Sequence, residues 1–275
     1  MPGIVSPSTQ RLFGLDFVSD STIEEVAEML LAGAATPSEG WQCVVTPNVD
    51  HLVRYERYPE EAAVGRLATL VLPDGMPIVW ASRLLRRPLR ERLAGSDLFA
   101  ALWPELAERG VPAVVVASGP EVAARLRAEH PTARVVEAPW FDVGDHVAVD
   151  ALVAEVDAAC REVGARFLFL GVAMPKHHLL AGRLAERWQG WPGSPVVVLM
   201  GASAGLYLGL TKRAPAWMQR AGLEWLHRLA LDPRRLARRY LVDDPRFLRI
   251  LWREWRGSRQ RGAAPSEPRA SSSRG

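Results

Sequence analysis

The chain has 275 residues and is 48% hydrophobic, which is enough for one large domain or for one domain with an appendage. Two cysteines give no disulfide framework and no metal-ligand spacing, and no window approaches the ~18–20 apolar residues of a membrane span. The formal net charge of +3 hides an uneven distribution, since residues 212–275 carry 16 Lys and Arg against 6 Asp and Glu, whereas the rest of the chain is acidic. A basic C-terminal region of this kind predicts contact with an anionic surface.

Most of the chain alternates between strand and helix patterns. Near the start, residues 12–18 predict an edge strand or hairpin, and Ser21 with Glu24 predicts a capping box for the first helix. Further strands are expected at 41–46, 68–72, 111–117, 134–137, 166–170 and 195–200. The helices between them are expected at 48–58, 76–86, 97–109 with Ser96 as its cap, 121–129, 148–163 and 175–188. This alternation predicts an α/β fold, a mostly parallel sheet flanked by helices that is Rossmann-like.

The pattern changes from Arg213 onward, where helical stretches follow one another without strands. They are expected at 215–229, 233–241 and 244–256, and they are rich in Arg and Trp. We therefore predict an α/β catalytic domain over residues 1–211, a helical membrane-binding appendage over 212–258 and a disordered tail over 259–275.

Polar residues follow two of the predicted strands. One strand ends in Thr46-Pro47-Asn48 and the next in Pro73-Asp74-Gly75. Ligands of open α/β sheets bind at the carboxyl ends of the strands, so Asp74 is the first candidate for a general base. The alternative is structural, because Asp-Gly after a strand is a common turn and Asp is a common N-cap. No second acid is expected to pair with Asp74.

Two further turns could meet a phosphate or nucleotide. The segment 171–178 leaves a strand and enters a helix, where Lys176 could bind phosphate oxygens and His177 could donate to a substrate. An ordinary turn with an exposed lysine fits equally well, and the adjacent rings of His177 and His178 are expected to diverge without forming a zinc site. The segment 201–205 is neither a Walker loop nor GxGxxG, although Gly201 lets a backbone approach a nucleotide closely.

The most specific strings lie near the end of the chain, at 212–219, 222–229 and 232–241. With Thr46-Pro47-Asn48, Pro73-Asp74-Gly75, Gly95-Ser96-Asp97-Leu98 and Met174-Pro175-Lys176, they make the chain resemble the WecG/TagA/CpsF family of bacterial glycosyltransferases over about residues 10–255. The resemblance implies inverting transfer of a hexose, of the N-acetylmannosamine type or related, from a UDP-sugar to an undecaprenyl-diphosphate-linked sugar in the synthesis of cell-surface polysaccharide or teichoic acid.

The resemblance also implies roles for individual residues. Asp74 matches the proposed catalytic base, and Arg213 matches an appendage thought to meet the membrane and the lipid diphosphate. Thr46, Asn48 and Arg92 match polar positions that line the active-site pocket. Together with the candidates from the other strings and turns, the predicted substrate-binding residues are Thr46, Asn48, Arg92, Ser96, Asp97, Lys176, His177, Gly201 and Arg213. No cofactor or metal is expected, because no Asp-x-Asp string is present and Arg92 and Lys176 could stabilise the leaving diphosphate.

The expected partners are therefore a UDP-sugar donor, a prenyl-diphosphate-linked acceptor and a membrane surface, with a homo-oligomer also considered and no nucleic acid. Residues 1–20 lack a secretion-signal pattern, so the expected location is cytoplasmic, peripheral at the inner face of the bacterial plasma membrane.

Two departures from the family pattern motivate alternatives. His177 and His178 replace Gln and an acid, and Ala204-Gly205 replace Phe-Asp, all in the expected donor-binding region. One alternative is a membrane-surface or sugar-nucleotide-binding protein with altered catalysis, which transfer assays would separate from an enzyme. Another is a nucleic-acid binder, suggested by Arg-rich helices with aromatics, which liposome flotation against DNA retention would separate.

Overall fold

The computed structural model describes residues 7–34, 40–234 and 244–262. Its strands are β1 (Thr9–Leu12), β2 (Leu15–Val18), β3 (Gln42–Val45), β4 (Leu70–Val71), β5 (Ala113–Ala117), β6 (Arg134–Glu137), β7 (Phe167–Leu170) and β8 (Val196–Leu199). Its helices in the body are α1 (Ile23–Ala34), α2 (Val49–Arg57), α3 (Pro59–Leu67), α4 (Met76–Leu84), α5 (Gly95–Glu108), α6 (Pro120–Glu129), α7 (His146–Val163), α8 (Lys176–Arg187) and α9 (Ser203–Tyr207). After these come α10 (Ala216–Arg220), α11 (Glu224–Leu231), a 3₁₀ turn (Asp244–Arg246) and α12 (Phe247–Gly262), and we refer to α10, α11 and α12 as the C-terminal helices.

The strands form one eight-stranded sheet in the order β1-β2-β4-β3-β8-β7-β5-β6. Only the β1–β2 hairpin is antiparallel among the described pairings, so the predicted mostly parallel α/β sheet is confirmed. The central strands β5, β7 and β8 are buried along their whole length, because helices cover both faces. Two apolar clusters, one on each face, form the core.

Several local predictions needed correction. The capping box of α1 uses Thr22 and Glu25 instead of Ser21 and Glu24. The Thr22 N–H donates to Glu25 Oε2 at 2.7 Å, and the Glu25 N–H donates to Thr22 Oγ1 at 3.3 Å. Helix α5 begins at Gly95, before Ser96, and no side chain caps it. A further helix, α3, lies between α2 and β4 and begins at Pro59, since proline suits the first helical turn.

The C-terminal helices also differ from the sequence prediction. The helix expected at 215–229 is divided into α10 and α11 at Gly222, which has φ +68° and lies so close to Trp80 that a Cβ would come within 2.4 Å of its ring. The helix α12 continues to Gly262, beyond the predicted domain limit of 258. Most of the helix expected at 233–241, and residues 263–275 of the expected disordered tail, lie outside the described residues.

The last described helix returns to the opposite end of the chain. Phe247, at the start of α12, packs edge-on against Phe13 of the β1–β2 turn with ring centroids 5.4 Å apart. Further along α12, Glu254 accepts a hydrogen bond from Arg87 Nη1 at 3.0 Å. In the described ranges, no helix combines the length and the apolar character needed to cross a membrane.

Gly171 provides a test of the sheet's packing. A Cβ at this position would lie 2.6 Å from the backbone oxygen of Val116, so we expect Gly171→Ala to destabilise the fold by about 1–3 kcal/mol, the usual cost of overpacking. Gly119→Ala is the matched control, because nothing lies within 4 Å of its added Cβ. Denaturant unfolding of both variants measures the difference, and equal stabilities would contradict the packing described here.

Candidate active site

A cavity of about 310 Å³ opens where β3 and β4 end. The body of the protein supplies one wall through Asn48, Val49, Asp50, Asp74, Gly75, Met76, Pro77 and Arg92. The C-terminal helices and their connections supply the other wall through Gln219, Gly222, Glu224, Trp225, Phe247 and Leu248. The cavity therefore brings together three of the predicted site residues, Asn48, Asp74 and Arg92, beneath a segment that is distant in sequence.

The position of Asp74 follows from the pairing of two strand ends. Val45 of β3 lies beside Val71 of β4, and the chain continues in parallel beyond both, so the Asp74 N–H donates to Pro47 O at 3.0 Å. The next residue, Gly75, has φ +128°, a conformation that favours glycine, and it turns the chain into α4. This places the Asp74 carboxylate in the cavity wall, half-buried, at the tip of its strand.

Asn48 has two roles in the same wall. It caps α2, because its Oδ1 accepts the His51 N–H at 3.3 Å, and it also lies 2.8 Å from His51 Nδ1. Because His51 occupies Oδ1, the side-chain NH₂ group of Asn48 is the part suited to donate a hydrogen bond to a ligand oxygen.

Arg92 is held between two carboxylates at the cavity edge. Its Nη2 donates to Asp97 Oδ2 at 2.8 Å, and its Nη1 donates to Glu224 Oε2 at 2.9 Å. The other oxygen of Asp97 accepts a hydrogen bond from Arg213. The predicted residues Arg92, Asp97 and Arg213 thus form one connected group, to which Glu224 belongs.

The remaining predicted site residues lie outside the cavity lining. Thr46 directly follows β3, and its Oγ1 would be 2.9 Å from a Cβ on Gly95, so the start of α5 packs closely on this strand end. Ser96 is the second residue of α5. Lys176 begins α8 and lies over the ring of Phe141, with Nζ 4.3 Å from its centroid. Gly201, with φ +55°, follows β8.

His177 and His178 are buried beneath this edge of the sheet, and their rings meet instead of diverging. Their centroids are 4.7 Å apart, and His51 stacks on His177 at 6.0 Å. His177 Nδ1 donates to Val172 O at 2.8 Å, and His178 Nε2 lies 2.6 Å from the Tyr55 hydroxyl. Burial lowers the pKa of His177 to about 4, and burial together with the neighbouring His177 lowers the pKa of His178 further below the ordinary range.

Sequence reasoning missed part of the cavity. It named Asp74 as the only acid at these strand tips, and it did not foresee that Asp50 and Glu224 line the same cavity. Glu224 is the one acid in the string 222–229 that carried the family resemblance, and this was the available signal. Across the described ranges, no group of three or more His, Cys, Asp or Glu side chains is arranged to hold a metal ion.

Comparison with known proteins identifies the chain as a glycosyltransferase. A profile of the glycosyl transferase WecG/TagA/CpsF family matches residues 10–261, so the chain belongs to this family of glycosyltransferases. One curated relative is the N-acetylglucosaminyldiphosphoundecaprenol N-acetyl-beta-D-mannosaminyltransferase of Bacillus spizizenii (strain ATCC 23059 / NRRL B-14472 / W23). It is 26% identical over 257 residues, which cover 91% of this chain and 93% of the relative. The resemblance seen in the sequence is thereby confirmed.

The buried histidines predict a pH dependence of stability. Above pH 6.5 His177 is neutral in both states, whereas between pH 6.5 and about 4 the unfolded chain binds a proton that the folded chain does not. Stability should therefore fall as the pH falls, by about 1.4 kcal/mol per pH unit for each such histidine.

Denaturant unfolding at pH 7 and pH 5 measures this loss. His177→Gln should reduce it, and His146→Gln, at an exposed position, is the control and should leave it unchanged. An equal pH dependence in wild type and His177→Gln would show that His177 does not cause it.

Proposed function

We propose that this protein is an inverting glycosyltransferase that moves a hexose of the N-acetylmannosamine type from a UDP-sugar to a sugar linked to undecaprenyl diphosphate. The observation that carries the proposal is the cavity itself, which joins Asp74 at a strand tip to Arg92 under the basic C-terminal helices. The relative's name, a mannosaminyltransferase with a diphosphoundecaprenol-linked acceptor, supports the sugar and the acceptor.

Asp74 is the proposed general base. In an inverting displacement the acceptor hydroxyl attacks the anomeric carbon from the face opposite the leaving UDP and loses its proton as the new bond forms. A carboxylate within hydrogen-bond reach takes that proton, typically for a ~10²–10⁴-fold rate gain. Asp74 lies where strand-end ligands of α/β sheets bind, which suits this role.

The leaving diphosphate needs positive charge nearby as it departs. Arg92 lines the cavity and offers N–H donors in a fixed fork, which suits phosphate oxygens. Lys176 and the N-terminus of α8 lie further along the same edge of the sheet, after β7, and would serve the distal part of a nucleotide. Arg213, joined to the site through Asp97, is proposed to meet the acceptor diphosphate.

Replacing Asp74 tests the proposed base. Asp74→Asn keeps the shape of the side chain and removes the proton acceptor, so turnover should fall by about 10²-fold or more with an unchanged melting temperature. Asp50→Asn, at a second carboxylate of the same cavity, is the matched control and should change turnover only a few-fold. Transfer is measured by mass spectrometry with UDP-sugars and a synthetic prenyl-diphosphate acceptor. A larger loss of turnover in Asp50→Asn than in Asp74→Asn would show that Asp74 is not the general base.

The C-terminal helices are proposed to bind the inner face of the membrane and form the wall of the active site. Large apolar side chains remain outside the core there, with Trp217 59%, Leu248 66% and Trp252 53% exposed, and the Arg256 guanidinium lies 4.5 Å from the centroid of the Trp252 ring. Tryptophan suits the boundary between headgroups and acyl chains, and each basic residue near an anionic surface contributes roughly 1 kcal/mol, weakened by salt. A lipid-linked acceptor stays in the bilayer, so the cavity must be brought to it.

The association of this chain into a homo-oligomer stays a prediction.

Liposome flotation tests the membrane role. The double variant Trp217→Ala, Trp252→Ala should bind anionic liposomes about tenfold or more weakly, because each lost indole forfeits about 1 kcal/mol or more of apolar transfer. Trp140→Ala is the control, since Trp140 is 87% exposed but lies in the loop before α7, outside the C-terminal helices. Binding of the double variant equal to that of wild type at low and moderate salt would contradict the role.

A further inference from the structure

The two carboxylates that hold Arg92 come from separate parts of the fold. Asp97 belongs to α5 in the body, whereas Glu224 is the first residue of α11 and lies 132 positions from Arg92 in sequence. The three side chains are only 15% (Arg92), 28% (Asp97) and 20% (Glu224) exposed. Ion pairs that are partly shielded from water and joined by direct hydrogen bonds are stronger than exposed surface pairs.

A second ion pair connects the same two parts of the fold. Arg213, just before α10, pairs with Asp97, which already receives Arg92. The four groups form a chain of alternating charge, Arg213–Asp97–Arg92–Glu224, whose formal charges cancel. The segment between Arg213 and Glu224 is therefore attached to the body at both of its ends, across the cavity edge.

We propose that Glu224 is a positioning residue: by holding Arg92 Nη1 it fixes the guanidinium for the reaction and couples the seating of α11 to the active site. A long arginine side chain held by one carboxylate can still rotate, whereas one held at both η nitrogens has its plane defined. Five N–H bonds radiate from a guanidinium, and those not used by the two carboxylates serve substrate oxygens. This inference rests on the proposed function, in which Arg92 stabilises the leaving diphosphate.

The proposal makes a specific kinetic prediction. A mobile Arg92 can still bind the diphosphate in the ground state. The negative charge that develops in the transition state, however, is stabilised well only by a donor that is already held in position. Glu224→Gln should therefore lower kcat by about tenfold while KM for the UDP-sugar does not rise, since the change also removes a competing carboxylate. Glu224→Asp, which keeps the charge, should recover part of kcat.

A double-mutant cycle separates positioning from a purely structural role. If Glu224 acts through Arg92, then Glu224→Gln should have little further effect on kcat in an Arg92→Lys background. Glu105→Gln is the matched control, because Glu105 pairs with Arg109 on the exposed side of α5 and should leave the kinetics unchanged. Equal effects of Glu224→Gln in both backgrounds, or a rise in KM without a fall in kcat, would overturn the proposal.

Hydrogen exchange tests the coupling without any activity. In full-length Glu224→Gln, amide exchange should accelerate both in peptides covering α11 and in peptides covering residues 88–94 around Arg92, whereas Glu105→Gln should match wild type. Unchanged exchange around Arg92 would overturn the proposal whatever the kinetics show. If wild type transfers no sugar from any UDP-sugar while this coupling is present, the proposed function fails and the positioning of Arg92 by Glu224 stands.

Discussion

The parallel pairing of β3 with its two neighbours is the constraint on which the site depends. Val45 lies beside Val71 on one side and beside Leu199 on the other, so three strands end at the same level of the sheet. Because each chain then continues toward the same edge, the segments after Val45 and Val71 are joined by a backbone hydrogen bond. For this reason Asn48 and Asp74 line the same cavity, and the C-terminal helices form its opposite wall.

The sequence alone predicts those site residues whose position depends only on the strand and turn that contain them. An apolar run followed by Pro73-Asp74-Gly75 predicts a strand, a turn and a helix, and these elements alone place Asp74 at the sheet edge. The contribution of Glu224 could not be predicted in this way, since its contact with Arg92 spans 132 positions and depends on how α11 is seated. No local pattern contains a contact of that sequence separation, and only the family strings connected that segment with the active site.

The adjacent histidines show a second limit of sequence reasoning. Neighbouring side chains on an isolated helix diverge, but His177 and His178 lie in the first turn of α8, where His51 and Tyr55 of α2 enclose them. Tertiary packing from α2 therefore decides the direction of both rings, and the two side chains that were expected to diverge are buried in contact with each other. His177 and His178 therefore pack against α2, whose capping residue Asn48 lines the cavity.

The contact between Phe13 and Phe247 makes one wall of the cavity depend on the start of the chain. Phe247 lines the cavity, is only 6% exposed and packs its ring on Phe13 of the first hairpin. Further along α12, Glu254 pairs with Arg87 of the body, so the helix is attached at more than one point. The first and the last described segments of the chain therefore shape the cavity together, and a substitution in the first hairpin would act on a wall that lies more than 200 positions away in sequence.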